Sequence, residues 1–199
     1  ASDVYKRQVR TIVTIDAGNF RGSVFMNLIL IGYRGTGKST VAQLLASRLK
    51  RETLSTDAMI IEKAQMPIPE IVEKLGWDHF RDLESTICQD LRENDNLVVD
   101  TGGGVIIRNA NVEALKPAGL IFWLTATIDT ISHRIADDTQ RPSLTTGKTF
   151  TEEIEEVLKE RTPKYEAAAD FVVETDACSA NQVANQVLTF FREAQGLET

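Results

Sequence analysis

The sequence predicts an α/β protein, a three-layer sandwich in which helices cover both faces of a central five-stranded parallel sheet. Short apolar runs of strand length alternate with longer segments whose apolar residues recur at helical spacing. A glycine-rich loop stands between the first apolar run and the first helical segment, the order found in parallel sheets that bind phosphate. At 199 residues, the chain is long enough for one domain with a substantial core.

Each predicted element follows from one of these segments. Strands are predicted at 27–32, 52–55, 96–100, 120–124 and 170–174. Helices are predicted at 38–50, 57–64, 68–75, 78–94, 109–116, 127–137, 151–168 and 179–195. Because ligands of such sheets bind at the carboxyl ends of the strands, we expect the functional residues to gather at that edge.

The first 25 residues differ from the rest of the chain. They are mildly basic, whereas the whole chain carries a net charge of −7. They also lack the apolar core of a secretory signal. We therefore expect residues 1–25 to be a non-native or disordered leader and residues 26–195 to form the single domain.

The run from Gly32 to Thr40 matches G-x-x-x-x-G-K-[ST], the loop that binds the phosphates of a nucleoside triphosphate. Its glycines allow backbone N–H groups to face phosphate oxygens at the N-terminus of a helix. Lys38 is expected to reach the β- and γ-phosphates, and Ser39 to ligate Mg²⁺. The predicted nucleotide-binding residues of this loop are Gly35, Thr36, Gly37, Lys38, Ser39 and Thr40.

Composition excludes several other classes of function. The negative net charge argues against a nucleic-acid partner, and the apolar runs are too short to span a bilayer. Cys88 and Cys178 lack the spacing of metal ligands and are expected to be reduced thiols. We therefore expect a cytoplasmic monomer that acts on small molecules.

Four further motifs follow the phosphate-binding loop. They are T-G-G-G at 101–104, F-R-x-x-E at 80–84, R-P-x-L at 141–144 and R-x-P-x-Y at 161–165. Taken together in their order along the chain, from about residue 26 to residue 191, they resemble the shikimate kinases. The resemblance implies a P-loop kinase fold with a mobile lid, and transfer of phosphate from ATP to the 3-hydroxyl of shikimate.

The resemblance also implies which residues bind shikimate. Arg81 and Arg161 match the two arginines that bind its carboxylate, a role suited to the guanidinium fork. Asp57 matches the carboxylate that contacts the ring hydroxyls, although it could also simply cap the helix that follows. Gly102, Gly103 and Gly104 would let the backbone approach the substrate closely. Glu84, one helical turn from Arg81, is expected to hold that arginine in place.

The polar segment 136–150 is expected to be the lid over the nucleotide. Arg141 within it would bring its charge to the transferring phosphoryl group. Arg134, on the preceding helix, matches a position that packs on the adenine ring. Lys38, Asp57 and Arg141 are therefore the predicted catalytic residues.

One position departs from the family pattern. The resemblance implies an Asp two residues before Asp57 that holds Mg²⁺ through water, but Ser55 stands there. Asp100 ends the third predicted strand, where many P-loop proteins orient a magnesium-bound water. We hypothesise that Asp100 replaces the missing carboxylate; the alternative is that Asp100 caps a turn and the Mg²⁺ site is weaker.

Two alternatives to a shikimate kinase remain. A kinase for gluconate or a nucleoside monophosphate would share the phosphate-binding loop. A nucleoside monophosphate would also require several basic residues for the acceptor phosphate, which the sequence does not offer. A catalytically silent nucleotide-binding module is supported by Ser55 alone.

Overall fold

A computed structural model describes residues 26–136 and 150–196. Its five strands form one parallel sheet in the order β2-β3-β1-β4-β5. The strands are β1 (Asn27–Ile31), β2 (Glu52–Ser55), β3 (Leu97–Asp100), β4 (Gly119–Thr125) and β5 (Phe171–Glu174). The predicted five-stranded parallel sheet is confirmed, with strand ends within one residue of the prediction. The leader 1–25, nearly all of the predicted lid and Arg141 lie outside the described residues.

Helices separate the strands. They are α1 (Lys38–Leu49), α2 (Thr56–Ala64), α3 (Ile68–Asp90), α4 (Asn109–Ala118), α5 (Ile128–Ile135), α6 (Phe150–Ala168) and α7 (Ala180–Ala194). The two helices predicted at 68–75 and 78–94 form the single element α3, but Gly76 interrupts it with non-helical angles (φ 84°, ψ 167°). Short 3₁₀ turns at Leu91–Glu93 and Val105–Ile107 were not predicted.

Alternate residues of β1 enter two separate hydrophobic cores, one on each face of the sheet. Leu28 and Leu30 pack with residues of α1 and α7. Ile29 and Ile31 pack on the other face with residues of α3, α4 and α6. All four side chains are fully buried. Because a central strand covered on both faces has no solvent side, β1 is apolar at every position from Leu28 to Ile31.

Parallel pairing brings the carboxyl ends of the strands to one edge of the sheet. β2 and β3 pair so that Ser55 is the register partner of Asp100, and β1 pairs with β3 so that Leu30 is also opposite Asp100. Three segments therefore lie side by side at this edge of the sheet: the phosphate-binding loop after β1, the start of α2 after β2 and the glycine triplet after β3. Across residues 26–136 and 150–196, no helix combines the length and apolar character needed to cross a membrane.

Candidate active site

The phosphate-binding loop closes around its own lysine. Gly35 and Gly37 adopt left-handed angles (φ 80° and 91°), which an L side chain rarely tolerates. Lys38 Nζ donates hydrogen bonds to the carbonyl oxygens of Gly32 (2.8 Å) and Tyr33 (3.0 Å) and is largely buried. Gly37, the N-cap residue of α1, provides no side-chain cap, so the N-terminal N–H groups of the helix are available to an anion.

A cavity of about 700 Å³ opens in front of this loop. Every predicted nucleotide-binding residue from Gly35 to Thr40 lines it, and so does Arg134. The wall also contains the polar side chains of Arg34, Ser55, Asp57, Asp100, Thr101 and Thr175. The volume of the cavity falls in the range of small-molecule sites, and the cavity lies at the carboxyl edge of the sheet, where ligands of such sheets bind. We call it the nucleotide cavity.

Arg134 is fixed at the rim of the nucleotide cavity by three hydrogen bonds. It donates to the Gly35 carbonyl oxygen (3.2 Å), to Thr175 Oγ1 (2.9 Å) and to the Thr175 carbonyl oxygen (2.8 Å). Thr175 follows the edge strand β5, so Arg134 joins α5 to the end of that strand. Its planar guanidinium is thereby held in a position from which it could stack on a flat ligand.

A second, smaller cavity of about 60 Å³ adjoins the first. All the predicted substrate-binding residues line it, namely Asp57, Arg81, Gly102, Gly103, Gly104 and Arg161. Arg34 and Asp57 line both cavities. We call the second one the substrate cavity.

The predicted pairing of Arg81 with Glu84 is confirmed. Arg81 Nη1 lies 2.8 Å from Glu84 Oε2, and both side chains are largely buried. The Phe80 ring lies against the same guanidinium, with its centroid 5.0 Å away. Burial raises the pKa of Glu84, and the Asp57 charge raises it further, while Arg81 lowers it. Because a buried carboxylate is costly without a cation, Glu84 requires Arg81 as its partner. The same ion pair holds the Arg81 guanidinium in place.

The glycine triplet is required for space rather than for backbone angles. A Cβ on Gly102 would lie 2.5 Å from Asp57 Oδ1, and a Cβ on Gly104 would overlap the Arg81 guanidinium. None of Gly102, Gly103 and Gly104 has a positive φ. The sequence predicted glycine here for close approach to the substrate. The structure adds that side chains of the site already occupy the space that a Cβ would need.

The carbonyl oxygen of Gly103 joins the triplet to α6. Arg161 Nη1 donates to it at 3.2 Å, and the Tyr165 hydroxyl also donates to it. Tyr165 is buried and stacks on Trp123, with ring centroids 5.6 Å apart, and burial raises the pKa of its hydroxyl. The R-x-P-x-Y motif therefore places two donors, one helical turn apart, on a single backbone oxygen.

The alternative in which Asp57 caps α2 is wrong. Ser55 is the capping residue, because its Oγ accepts a hydrogen bond from the Ala58 N–H at 3.3 Å. Asp57 lies inside the first turn of the helix with its carboxylate directed to the two cavities. Ser55 thus has a structural role of its own, for which serine is as well suited as aspartate.

Comparison with known proteins assigns the family. The shikimate kinase family model matches residues 34–192. The chain belongs to the shikimate kinase family. A shikimate kinase of Nitratidesulfovibrio vulgaris is 41% identical over 159 residues, which cover 78% of this chain and 90% of that protein. One from Geobacter sulfurreducens is 39% identical, with coverage of 85% and 92%.

A solved structure supports the same family assignment. The shikimate kinase of Acinetobacter baumannii, in complex with shikimate, superimposes with a TM-score of 0.81 at 33% identity. The match covers 85% of this chain and 94% of that one. The family match begins inside the phosphate-binding loop and extends past β5, so it includes most of the lining of both cavities. The prediction of a shikimate kinase relationship is therefore confirmed.

Sequence reasoning missed one buried ion pair in this shikimate kinase family member. Arg34 Nη2 lies 2.8 Å from Glu153 Oε1, and the two side chains are only 11% and 5% exposed. Arg34 occupies a variable position of the phosphate-binding motif, and Glu153 stands in a run of glutamates that resembles a solvated helix face. Because they are 119 positions apart in the sequence, no local pattern could have related the two.

Proposed function

We propose that this protein transfers the γ-phosphoryl group of ATP to the 3-hydroxyl of shikimate, which gives shikimate 3-phosphate and ADP. The observation that carries the proposal is the junction of the two cavities. A phosphate-binding cavity adjoins a smaller one whose wall contains Arg81, Arg161 and the shared Arg34, and Asp57 lies between the two cavities. Membership of the shikimate kinase family supports the same substrates.

In the proposed complex, Arg81 and Arg161 bind the shikimate carboxylate. Two fixed guanidinium groups suit one planar carboxylate, because each can donate two parallel N–H groups. Arg81 is held by Glu84, and Arg161 by the Gly103 carbonyl oxygen. This end of the ring would be fixed, so the hydroxyls at the other end point toward Asp57 and the nucleotide cavity.

The chemical step then occurs at the boundary of the cavities. The 3-hydroxyl oxygen forms a bond to the γ-phosphorus while the bond from that phosphorus to the β–γ bridging oxygen breaks. Asp57 orients the attacking hydroxyl and accepts its proton. Lys38 neutralises charge on the β- and γ-phosphates, for which it exchanges its carbonyl partners for phosphate oxygens. Arg141 and the lid 136–150 are proposed to cover the nucleotide during the step.

The donors near the phosphate-binding loop fit Mg²⁺. Ser39 is exposed at the start of α1 and lines the nucleotide cavity, and the carboxylate of Asp100 lies in the same wall. Hydroxyl and carboxylate oxygens are ligands that Mg²⁺ accepts, and it is commonly bound by few protein groups together with substrate phosphates. We propose that Ser39 ligates it directly and Asp100 through water. When bound, Mg²⁺ would neutralise phosphate charge.

A coupled ADP-release assay tests the proposal. Purified protein is supplied with ATP, Mg²⁺ and one acceptor at a time, namely shikimate, gluconate or AMP. Rapid ADP release with shikimate alone is the expected result. ADP release that occurs only with gluconate or AMP would assign a different acceptor. The absence of ADP release with all three acceptors would favour the catalytically silent module. Mass spectrometry of the product would confirm one added phosphoryl group on shikimate.

We further propose that the functional unit is a monomer whose single domain spans residues 26–195 and works in the cytoplasm. Sedimentation of the purified chain tests the monomer. Removal of residues 1–25 tests the domain boundary, since melting temperature and turnover should both stay unchanged. A large loss of either would show that the leader packs on the domain.

A further inference from the structure

We infer that Glu153 is a positioning residue for the reaction, because it holds the Arg34 guanidinium at the boundary between the nucleotide cavity and the substrate cavity. This inference rests on the proposed function. It begins with the buried ion pair, in which Arg34 Nη2 and Glu153 Oε1 are 2.8 Å apart. Arg34 also lies against the Tyr33 ring, with the guanidinium carbon 5.7 Å from the ring centroid.

Arg34 stands where a cation would act on both substrates. It lines both cavities, as Asp57 does, so a positive and a negative side chain lie at the boundary. An anionic phosphate donor on one side and an anionic acceptor on the other would repel each other across this boundary. A guanidinium between them lowers that repulsion. The benefit depends on where the long, flexible arginine side chain is directed.

Glu153 supplies that direction without lining either cavity. It lies in the first turn of α6, and among the residues that the structure describes, the walls of the two cavities do not include it. Glu153 is buried, whereas Glu155 and Glu156 on the same helix are exposed. A carboxylate is held in such a place by a specific partner rather than by solvent.

α6 links this pair to substrate binding. Arg161, which lies on the same helix, lines the substrate cavity and donates to the Gly103 carbonyl oxygen. α6 therefore carries Arg161 into the substrate cavity directly and holds Arg34, at the boundary of the two cavities, through Glu153. Loss of the Glu153 charge should consequently disturb both substrates, whereas changes at Arg81 or Arg134 should disturb only the cavity that each of them lines.

The experiment measures kcat and the KM for ATP and for shikimate in wild type, Glu153→Gln, Glu153→Asp, Arg34→Met and the Glu153→Gln/Arg34→Met double variant. Glu155→Gln is the matched control, since it removes an exposed charge from the same helix turn. Glu153→Gln should lower kcat/KM for both substrates by about tenfold, the size expected for a hydrogen bond between charged groups. The double variant should be no worse than Arg34→Met, and Glu155→Gln should match wild type.

Glu153→Asp separates charge from shape. Aspartate keeps the charge but is shorter, whereas glutamine keeps the shape and loses the charge. If Glu153 positions Arg34, the Asp variant retains more activity than the Gln variant. A Gln variant that is as active as wild type, or that changes the KM of one substrate only, would overturn the inference. So would equal losses from Glu153→Gln with and without Arg34. Wild-type turnover of shikimate in the same assay tests the proposed function separately.

Discussion

Ser55 and Asp100 are register partners on the neighbouring parallel strands β2 and β3. Partners in a parallel ladder direct their side chains to the same face of the sheet, about one strand spacing apart. A carboxylate at either position therefore borders the same part of the nucleotide cavity, which both residues line. Moving a carboxylate from one strand to the other would shift it by about one strand spacing and keep it on the same cavity wall, which supports the hypothesis that Asp100 replaces the Asp expected at position 55.

This relationship predicts the result of an exchange. Asp100→Ser should raise the Mg²⁺ concentration for half-maximal rate by about tenfold or more, as for other residues that orient a metal ligand. Adding Ser55→Asp should restore much of the loss, and it should leave the cap of α2 intact because aspartate also caps helices well. The measurement is a Mg²⁺ titration of the rate, with Ser55→Asp alone as the control. An unchanged Mg²⁺ requirement in Asp100→Ser would refute the replacement.

Arg81→Lys should raise the KM for shikimate by about tenfold or more and leave the KM for ATP nearly unchanged. Lysine keeps the charge but cannot donate two parallel N–H groups to a carboxylate, nor lie flat against Phe80. Steady-state kinetics with each substrate varied in turn would measure the effect. Arg108→Lys is a suitable control, because Arg108 pairs with Asp82 on the same helix and lines neither cavity among the described residues. Equal losses for both substrates would contradict a dedicated role for Arg81.

The glycine triplet predicts two different kinetic defects from the same substitution. Gly104→Ala would displace the Arg81 guanidinium and should mainly raise the KM for shikimate. Gly102→Ala would push on the Asp57 carboxylate and should mainly lower kcat. Steady-state kinetics and a melting curve for each variant would separate these effects from loss of folding. Identical kinetic profiles would indicate that the triplet serves only the backbone.

Lys38→Ala should lower kcat by about a hundredfold or more, because a charge next to the transferring phosphoryl group is removed. The fold should persist, since the ammonium group donates to the Gly32 and Tyr33 carbonyl oxygens of its own loop rather than joining distant parts of the core. Single-turnover rates and a melting curve are the measurements, with the exposed Lys63→Ala as control. A variant with most of its kcat would refute the assignment of the phosphate-binding loop.

The buried thiol of Cys88 leads us to expect that the folded protein loses stability at alkaline pH. Burial raises the pKa of its thiol to about 12, and the Glu84 charge adds to the effect. The pKa of the Cys88 thiol in the folded protein lies above its pKa in the unfolded chain. The contribution of the neutral thiol to the free energy of unfolding is therefore complete below about pH 9 and is lost as the pH rises toward 12. The stability of wild type should therefore fall by about 1 to 2 kcal/mol more than that of Cys88→Ala between pH 8 and pH 10.5. Urea unfolding at both pH values would measure it, and parallel losses would contradict it.

Sequence patterns predicted the elements of this fold because each pattern is local. β1 is apolar on both faces and α1 follows a glycine loop, so neither depends on distant residues for its recognition. The break at Gly76 was also predictable, as a gap between two helical segments. What could not be predicted were relationships set by tertiary packing, namely the Arg34–Glu153 pair and the side chains that fill the space next to Gly102 and Gly104. Those required the three-dimensional proximity of segments that are far apart in the chain.

The strand order has a consequence for synthesis of the chain. β1 lies in the middle of the sheet, yet its partners come much later, since Leu28 pairs with Val98 on one side and Leu120 on the other. On the ribosome, the apolar residues 28–31 emerge well before either partner exists. Until β4 has been made, this segment is an unprotected apolar strand that can bind a chaperone or another nascent chain. Folding to completion is therefore governed by closure of these long loops, which makes it slow relative to that of proteins whose contacts are local.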